Sequence, residues 1–128
     1  MIQASLNNLR QSPRKVRSVA NLVRGKSAVT ALNTLNFLSK KGADPLYTLL
    51  QSALANAKNT YNLEIGGLMI KEIRVDGGVT QKRRMPRARG SASPINKRCS
   101  HVLLVLAPLV EKAKKGAKAK VATNKEQK

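Results

Sequence analysis

Few side chains in this sequence could take part in covalent or metal chemistry. His101 is the only histidine, Cys99 is the only cysteine, and the six carboxylates are scattered along the chain. Nucleophilic catalysis needs a base oriented beside the nucleophile, and a zinc site needs several Cys or His ligands. We therefore expect no enzyme activity, no metal and no cofactor. His101 is expected to be a structural imidazole, and Cys99 a small packing residue.

The cations of the chain offer a different chemistry, the binding of anions. The 128 residues include 25 Lys and Arg against 6 Asp and Glu, a formal charge of +19. Solubility alone needs a net charge of only about 2 to 8 in a small domain. The excess predicts a polyanionic partner, with nucleic acid as the leading candidate. No apolar run approaches the ~20 residues of a membrane span, and a single cysteine favours a reducing, intracellular compartment.

The cations are concentrated in one stretch, QKRRMPRARGSASPINKR, which runs from Gln81 to Arg98 and holds seven Lys or Arg and no acidic residue. Segments rich in β-branched and long apolar residues flank it, and both are predicted strands: 68–75 and 100–107. Because connections longer than about 12–15 residues are uncommon within compact domains, the stretch is expected to be functional. Arginine predominates over lysine in it, and the guanidinium group matches phosphate and can stack on a base.

The cationic stretch is predicted to form a two-stranded ribbon, residues 77–100. Pairing Asp76 with His101 places the midpoint between Ala88 and Arg89, next to Gly90, and glycine suits a turn that needs positive φ. At roughly 3.3 Å per residue, each arm reaches about 30 Å. An isolated ribbon is marginally stable in water, so we expect this one to be mobile in the free protein and ordered by its partner.

The remaining elements must position this ribbon. We predict a strand over residues 2–9, a helix from Ser12-Pro13 to Gly25, a second helix from Ser27 to Lys40-Lys41-Gly42, a third opening at Asp44-Pro45, and a turn over 64–67. The predicted class is α+β, with three helices packed on a small antiparallel three-stranded sheet that carries a long extended β-hairpin. Residues 1–110 form one domain in this interpretation. Residues 111–128 form a Lys/Ala-rich tail that is disordered when free.

Two helices have faces that could contact nucleic acid. The first has an apolar stripe at Val16, Val19, Ala20 and Val23, and a second face that holds Arg14, Arg17, Asn21 and Arg24 at the same spacing. The third contains SALANA, residues 52–57, whose small side chains allow close approach of a neighbour. That neighbour is either another helix or the sheet, or it is a sugar-phosphate backbone with Asn56 and Asn59 as polar contacts.

Several motifs together resemble one known family, the universal large-subunit ribosomal protein L22 family of bacterial type. They are SPRKVRSVANLVRGK, SALANA, VDGG, KRRMPRARG and INKRCSH, in this order along the chain. The resemblance implies a body that sits on large-subunit (23S-type) rRNA near the outer end of the nascent-peptide tunnel, with the ribbon tip lining the tunnel. It also implies a role in subunit assembly, neighbouring ribosomal proteins and the nascent polypeptide as partners, and a cytoplasmic ribosome, with an organellar ribosome as the alternative. A homo-oligomer is not expected.

The predicted site residues combine the cationic faces with the residues that match the family motifs. The predicted RNA-binding residues are Arg14, Lys15, Arg17, Arg24, Lys26, Asn56, Lys82, Arg83, Arg84, Arg87, Arg89, Lys97, Arg98, Ser100 and His101. The predicted tunnel-lining tip is Met85, Pro86, Arg87, Ala88, Arg89, Gly90 and Ser91. Ser91, Ser93 and Pro94 depart from the family pattern, and Pro94 is expected to break the pairing of the ribbon because it lacks an N–H donor.

Two alternative functions also fit a basic chain. Architectural DNA-binding proteins extend basic β-ribbons with proline near the tip, but they usually work as dimers, and no long apolar face is left over here once three helices cover the sheet. A peripheral membrane protein would need an amphipathic helix with large apolar residues on one face, and three aromatic residues in the whole chain argue against it.

Overall fold

The computed structural model describes residues 2–109, so the predicted tail at 111–128 lies outside the described residues. Along the chain the elements are β1 (Ile2–Leu9), α1 (Pro13–Val23), α2 (Ala28–Asn36), α3 (Ala43–Tyr61), β2 (Leu68–Pro86) and β3 (Ala92–Pro108). Short 3₁₀ turns precede β2, at Ile65–Gly67, and connect β2 to β3, at Ala88–Gly90.

The three strands form one antiparallel sheet in the order β1-β3-β2, so β3 is central and β2 has a free edge. The predicted α+β class, with three helices and a three-stranded antiparallel sheet, is confirmed. The predicted pairing of Asp76 with His101 is also present. We call this position the root of the ribbon.

The core lies between the helices and one face of the sheet. The predicted stripe of α1 is fully buried, and β3 contributes Val102, Leu104 and Leu106 by strict alternation. In the SALANA segment, Ala53, Leu54 and Ala57 are buried in the same core. The small side chains of Ala53 and Ala57 therefore serve packing between protein elements, while Asn56 and Asn59 face outward.

The helix boundaries in the middle of the chain differ from the prediction. α2 ends at Asn36, not at 40–42, because the chain turns: the Lys40 N–H donates to the Leu38 carbonyl at 2.8 Å and the Ala43 N–H to the Lys40 carbonyl at 2.7 Å. α3 then begins one residue before Asp44, with Gly42 as its N-cap.

The ribbon is a direct extension of β2 and β3. β2 runs from the body into the predicted ribbon and ends at Pro86, and its glycines lie at a β-bulge, where the register shifts between Gly77 and Thr80. From Thr80 to Pro86 the pairing is regular. Side chains 81–98 are exposed except for the half-buried Ser93, so the ribbon stands away from the body.

The expected break at Pro94 is not present, since Pro94 pairs with Arg84 without a register shift. Proline is tolerated where its missing N–H would face an unpaired edge. β1 pairs with β3 only as far as Ser100, so in the ribbon β3 has β2 as its single partner strand.

Candidate nucleic-acid interface

A cleft between the root of the ribbon and the start of α1 brings cations from three parts of the chain together. It has a volume of about 560 Å³, and we call it the basic cleft. Its lining residues are Arg10, Gln11, Ser12, Lys15, Lys41, Gln81, Asn96, Lys97, Arg98 and Cys99. Five of these carry positive charge and none carries negative charge, so the cleft is suited to an anion.

A second cleft adjoins the first along α1. It has a volume of about 570 Å³ and is lined by Ser12, Pro13, Arg14, Lys15, Arg17 and Arg98. The fold therefore joins the predicted cationic face of α1 to the predicted cations at the root of the ribbon. The sequence interpretation missed Arg10 and Lys41, which were assigned to a connection and to the end of a helix.

Backbone and side-chain hydrogen bonds hold the walls of the basic cleft in place. The Gln11 N–H donates to the Leu9 carbonyl at 2.7 Å, which tightens the connection between β1 and α1. The Gln11 side-chain amide donates to the Lys41 carbonyl at 2.7 Å, which ties that connection to the one between α2 and α3. Lys41 is thereby fixed beside the start of α1 although the two segments are far apart in sequence.

Two of the predicted RNA-binding arginines also bind the protein itself. Arg17 donates to the Val75 carbonyl from Nε at 3.0 Å and from Nη2 at 2.8 Å, and Arg24 donates to the Ile73 carbonyl from Nη2 at 3.0 Å. Both carbonyls belong to β2, whose free edge would otherwise be open to pairing with another chain. Both side chains remain exposed, and a guanidinium has five N–H donors, so outward donors remain available.

The ribbon displays its cations on both of its faces. In an antiparallel pair, directly opposite residues share a face and successive residues alternate. The pairs Thr80–Arg98, Lys82–Asn96 and Arg84–Pro94 therefore lie on one face, and Gln81–Lys97 and Arg83–Ile95 lie on the other. Each face has at least two cations, and neither face is covered by the body.

The tip of the ribbon is a tight exposed turn. The Arg87 N–H donates to the Ser91 carbonyl at 2.8 Å, and the Ser91 hydroxyl donates to the Ala88 carbonyl at 2.9 Å. Gly90 has φ +73°, as its predicted position in the turn requires. Arg89 also has a positive φ, 56°, which the sequence interpretation did not anticipate. All the predicted tip residues, Met85 to Ser91, are exposed.

At the root of the ribbon, the structure contradicts one predicted RNA contact, that of Ser100. Ser100 is 0% exposed and its hydroxyl has no hydrogen-bond partner, so it cannot contact RNA in this conformation. Its side chain points into the core because Ser100 lies on the same face of β3 as Val102 and Leu104.

His101 is half-buried: its Nδ1 accepts a hydrogen bond from the Asn8 N–H at 3.3 Å, and its ring packs over Gly78. Cys99 is buried, as predicted.

Lys26 and Asn56 are among the predicted residues that lie away from the basic cleft. Lys26 is exposed after α1, and its carbonyl accepts a hydrogen bond from the Ile70 N–H at 3.0 Å. Asn56 is exposed on the outer side of α3. Neither lines the cleft, so any contact they make with RNA would be separate from it.

Two other kinds of site are absent from the part of the chain that the structure describes. Within residues 2–109, no group of three or more His, Cys, Asp or Glu side chains is arranged to hold a metal ion. No helix in the same range combines the length and the hydrophobicity needed to cross a membrane.

Comparison with known proteins agrees with the resemblance seen in the motifs. The family described as ribosomal protein L22p/L17e matches residues 4–107. The chain is 48% identical over 106 residues to the large ribosomal subunit protein uL22 of Myxococcus xanthus, covering 81% of this chain and 93% of that protein. It is 46% identical over 107 residues to the uL22 protein of Lactobacillus delbrueckii subsp. bulgaricus, covering 84% and 92%. These matches span the body and the whole ribbon, and the chain therefore belongs to the ribosomal protein L22p/L17e family.

Proposed function

We propose that this protein is a component of the large ribosomal subunit that binds 23S-type rRNA and aids assembly of the subunit. The observation that carries the proposal is the ribbon, which has cations on both faces and rests on no part of the body. An arm that lay flat on a nucleic acid would need cations on one face only. Cations on both faces suit an arm that is surrounded by folded RNA.

The basic cleft is the second part of the proposed interface. Phosphates bound by Lys15, Lys41 and Arg98 would fix the body against the RNA, and the ribbon would extend from that point. Each phosphate contact should contribute a slope of about −0.7 to −0.9 to the dependence of log affinity on log salt. The exposed bases and folded shape of RNA, which an extended arm can follow, would supply specificity.

The tip of the ribbon is proposed to line the tunnel through which the nascent polypeptide leaves. An arm of about 30 Å can carry the tip well away from the body into the surrounding RNA. Ala88, Gly90 and Ser91 give the turn small side chains, while Arg87 and Arg89 supply charge. Neighbouring ribosomal proteins and the nascent chain would be its other partners, in the cytoplasm and without a homo-oligomer.

Co-sedimentation tests the proposal. The tagged protein, expressed in its own cells, should remain with large subunits through a high-salt wash. Purified protein should sediment as a monomer and prefer in vitro-transcribed large-subunit rRNA to duplex DNA of equal length. A stable dimer that bends duplex DNA and binds it more tightly than rRNA would instead identify an architectural DNA-binding protein.

A further inference from the structure

The most exposed large apolar side chain in residues 2–109 is Phe37, at 86%. It is the only phenylalanine of the chain. The next such residue, Val79, is 70% exposed and lies on the ribbon, and the others are less exposed. A single exposed apolar residue is ordinary on a protein surface, so exposure alone assigns no role to Phe37.

The backbone around Phe37 forms an ordered turn. Phe37 is the C-cap of α2, and its N–H donates to the Asn33 carbonyl at 3.3 Å. The next residue, Leu38, packs against the core, and its N–H donates to the Leu35 carbonyl at 3.3 Å. The chain thus places one apolar side chain inward and directs the neighbouring ring outward from an ordered turn. The backbone that carries the ring is thus ordered before a partner binds, which lowers the entropy cost of binding.

The same connection leads directly into the basic cleft. Lys40 and Lys41 follow Phe37 and are exposed, and Lys41 lines the cleft. A span of four residues is at most about 14 Å, so the backbone of Phe37 lies within that distance of Lys41, which lines the cleft. Asp44, exposed in the first turn of α3, is the only carboxylate between residues 1 and 63. The connection that carries the ring therefore holds two cations, Lys40 and Lys41, and no carboxylate before Asp44.

We infer that Phe37 is a stacking site for an unpaired RNA base next to the basic cleft. An aromatic ring beside cations is the arrangement with which proteins bind single-stranded RNA: the ring stacks on a base and the cations bind the adjoining phosphates. A neighbouring protein would be expected to cover the ring with apolar surface, and cations beside the ring suit the phosphates of RNA better. The inference rests on the proposed rRNA binding and adds a base contact to the phosphate contacts.

The absence of tryptophan from the chain gives a direct test. Phe37→Trp introduces a single indole at the proposed stacking position. Its emission should be quenched when large-subunit rRNA binds, and it should be unchanged by heparin, which is a polyanion without bases. Binding of rRNA with no change in emission, or equal quenching by heparin, would overturn the inference.

Affinity measurements separate stacking from charge and from simple apolar contact. Phe37→Ala and Phe37→Leu should each weaken rRNA binding by about five- to 150-fold without changing the salt slope. Lys41→Ala should reduce the magnitude of that slope by about 0.7 to 0.9. Val29→Ala, which alters another exposed apolar side chain of α2, is the matched control and should bind as the unmodified protein does.

The outcomes distinguish this inference from the proposed function. Full affinity in Phe37→Leu would overturn it, because a leucine side chain has no ring to stack on a base. Full affinity in Phe37→Ala would overturn it while leaving rRNA binding intact. If the unmodified protein failed to bind rRNA, the proposed function would fall as well. The thermal midpoints of the Phe37 variants serve as the control: unchanged midpoints would show that the fold is preserved.

Discussion

Replacing Gly78 with alanine should destabilise the protein by forcing His101 out of its place. The new β-carbon would lie 2.8 Å from His101 Nε2 and 3.2 Å from its Cδ2. Real β-carbons do not approach other atoms this closely, so the ring must move. The ring is held by the hydrogen bond from the Asn8 N–H to Nδ1, and the movement would break that bond.

The size of the effect follows from these contacts. Loss of the hydrogen bond costs about 0.5–1.5 kcal/mol, and an off-rotamer imidazole a similar amount. Alanine restricts the unfolded chain, which offsets about 0.4–1 kcal/mol. The expected net loss is about 1–2 kcal/mol, or roughly 4–8 °C in the thermal midpoint. Gly66→Ala is the control, because a β-carbon there meets nothing within 4 Å, and it should not lower the midpoint.

A double-mutant cycle identifies the cause. In a His101→Ala background the obstruction is absent, so Gly78→Ala should cost nothing further, and the two substitutions should show a coupling energy of about 1 kcal/mol or more. Calorimetry of the four proteins measures it. Additive effects would refute the reasoning, since they would mean that the cost of alanine at position 78 does not arise from the histidine ring.

The remaining predictions concern the edge of the sheet and the ribbon. Arg17→Ala should lower the free energy of unfolding by about 1–2 kcal/mol, because two hydrogen bonds to the Val75 carbonyl are lost. Arg17→Lys should not restore the lost stability. Urea titration measures the free energy of unfolding, and an unchanged value would show that these hydrogen bonds contribute nothing. Arg87→Ala with Arg89→Ala should weaken assembly of the subunit less than deletion of 82–98 does, yet alter chemical probing of nearby rRNA nucleotides; an unaltered pattern would argue against the tunnel position. Amides of 80–98 should exchange rapidly in the free protein by hydrogen exchange, whereas strong protection throughout would contradict a ribbon that its partner orders.

Local patterns were sufficient to predict most of the framework. The apolar stripe of α1, the strand segments 68–75 and 100–107, and the pairing of Asp76 with His101 all follow from periodicity and turn chemistry. The alternation of inward and outward side chains along β3 also predicts that Ser100 is buried, since Val102, two residues later, points the same way. Motif resemblance assigned Ser100 to RNA contact, and burial in the central strand overrides that assignment.

Contacts between distant segments could not be predicted in this way. The bond from Arg17 to Val75 spans 58 residues, and the Gln11 amide that positions Lys41 spans 30. The first depends on how α1 lies along the edge of β2, and the second on how the connection between α2 and α3 lies beside the start of α1; no local pattern specifies either. The long hairpin was predicted, but the bulge that Gly77 and Gly78 form beside His101 was not.

The central claim is that RNA contacts the ribbon on both faces, and the salt dependence of rRNA binding tests it most directly. Lys82→Ala with Arg84→Ala removes charge from one face, and Arg83→Ala with Lys97→Ala removes it from the other. Each double variant should reduce the magnitude of the log–log slope for large-subunit rRNA by about 1.4 to 1.8. A reduction in one variant and none in the other would contradict the account, because it would show that the ribbon lies on its partner by a single face.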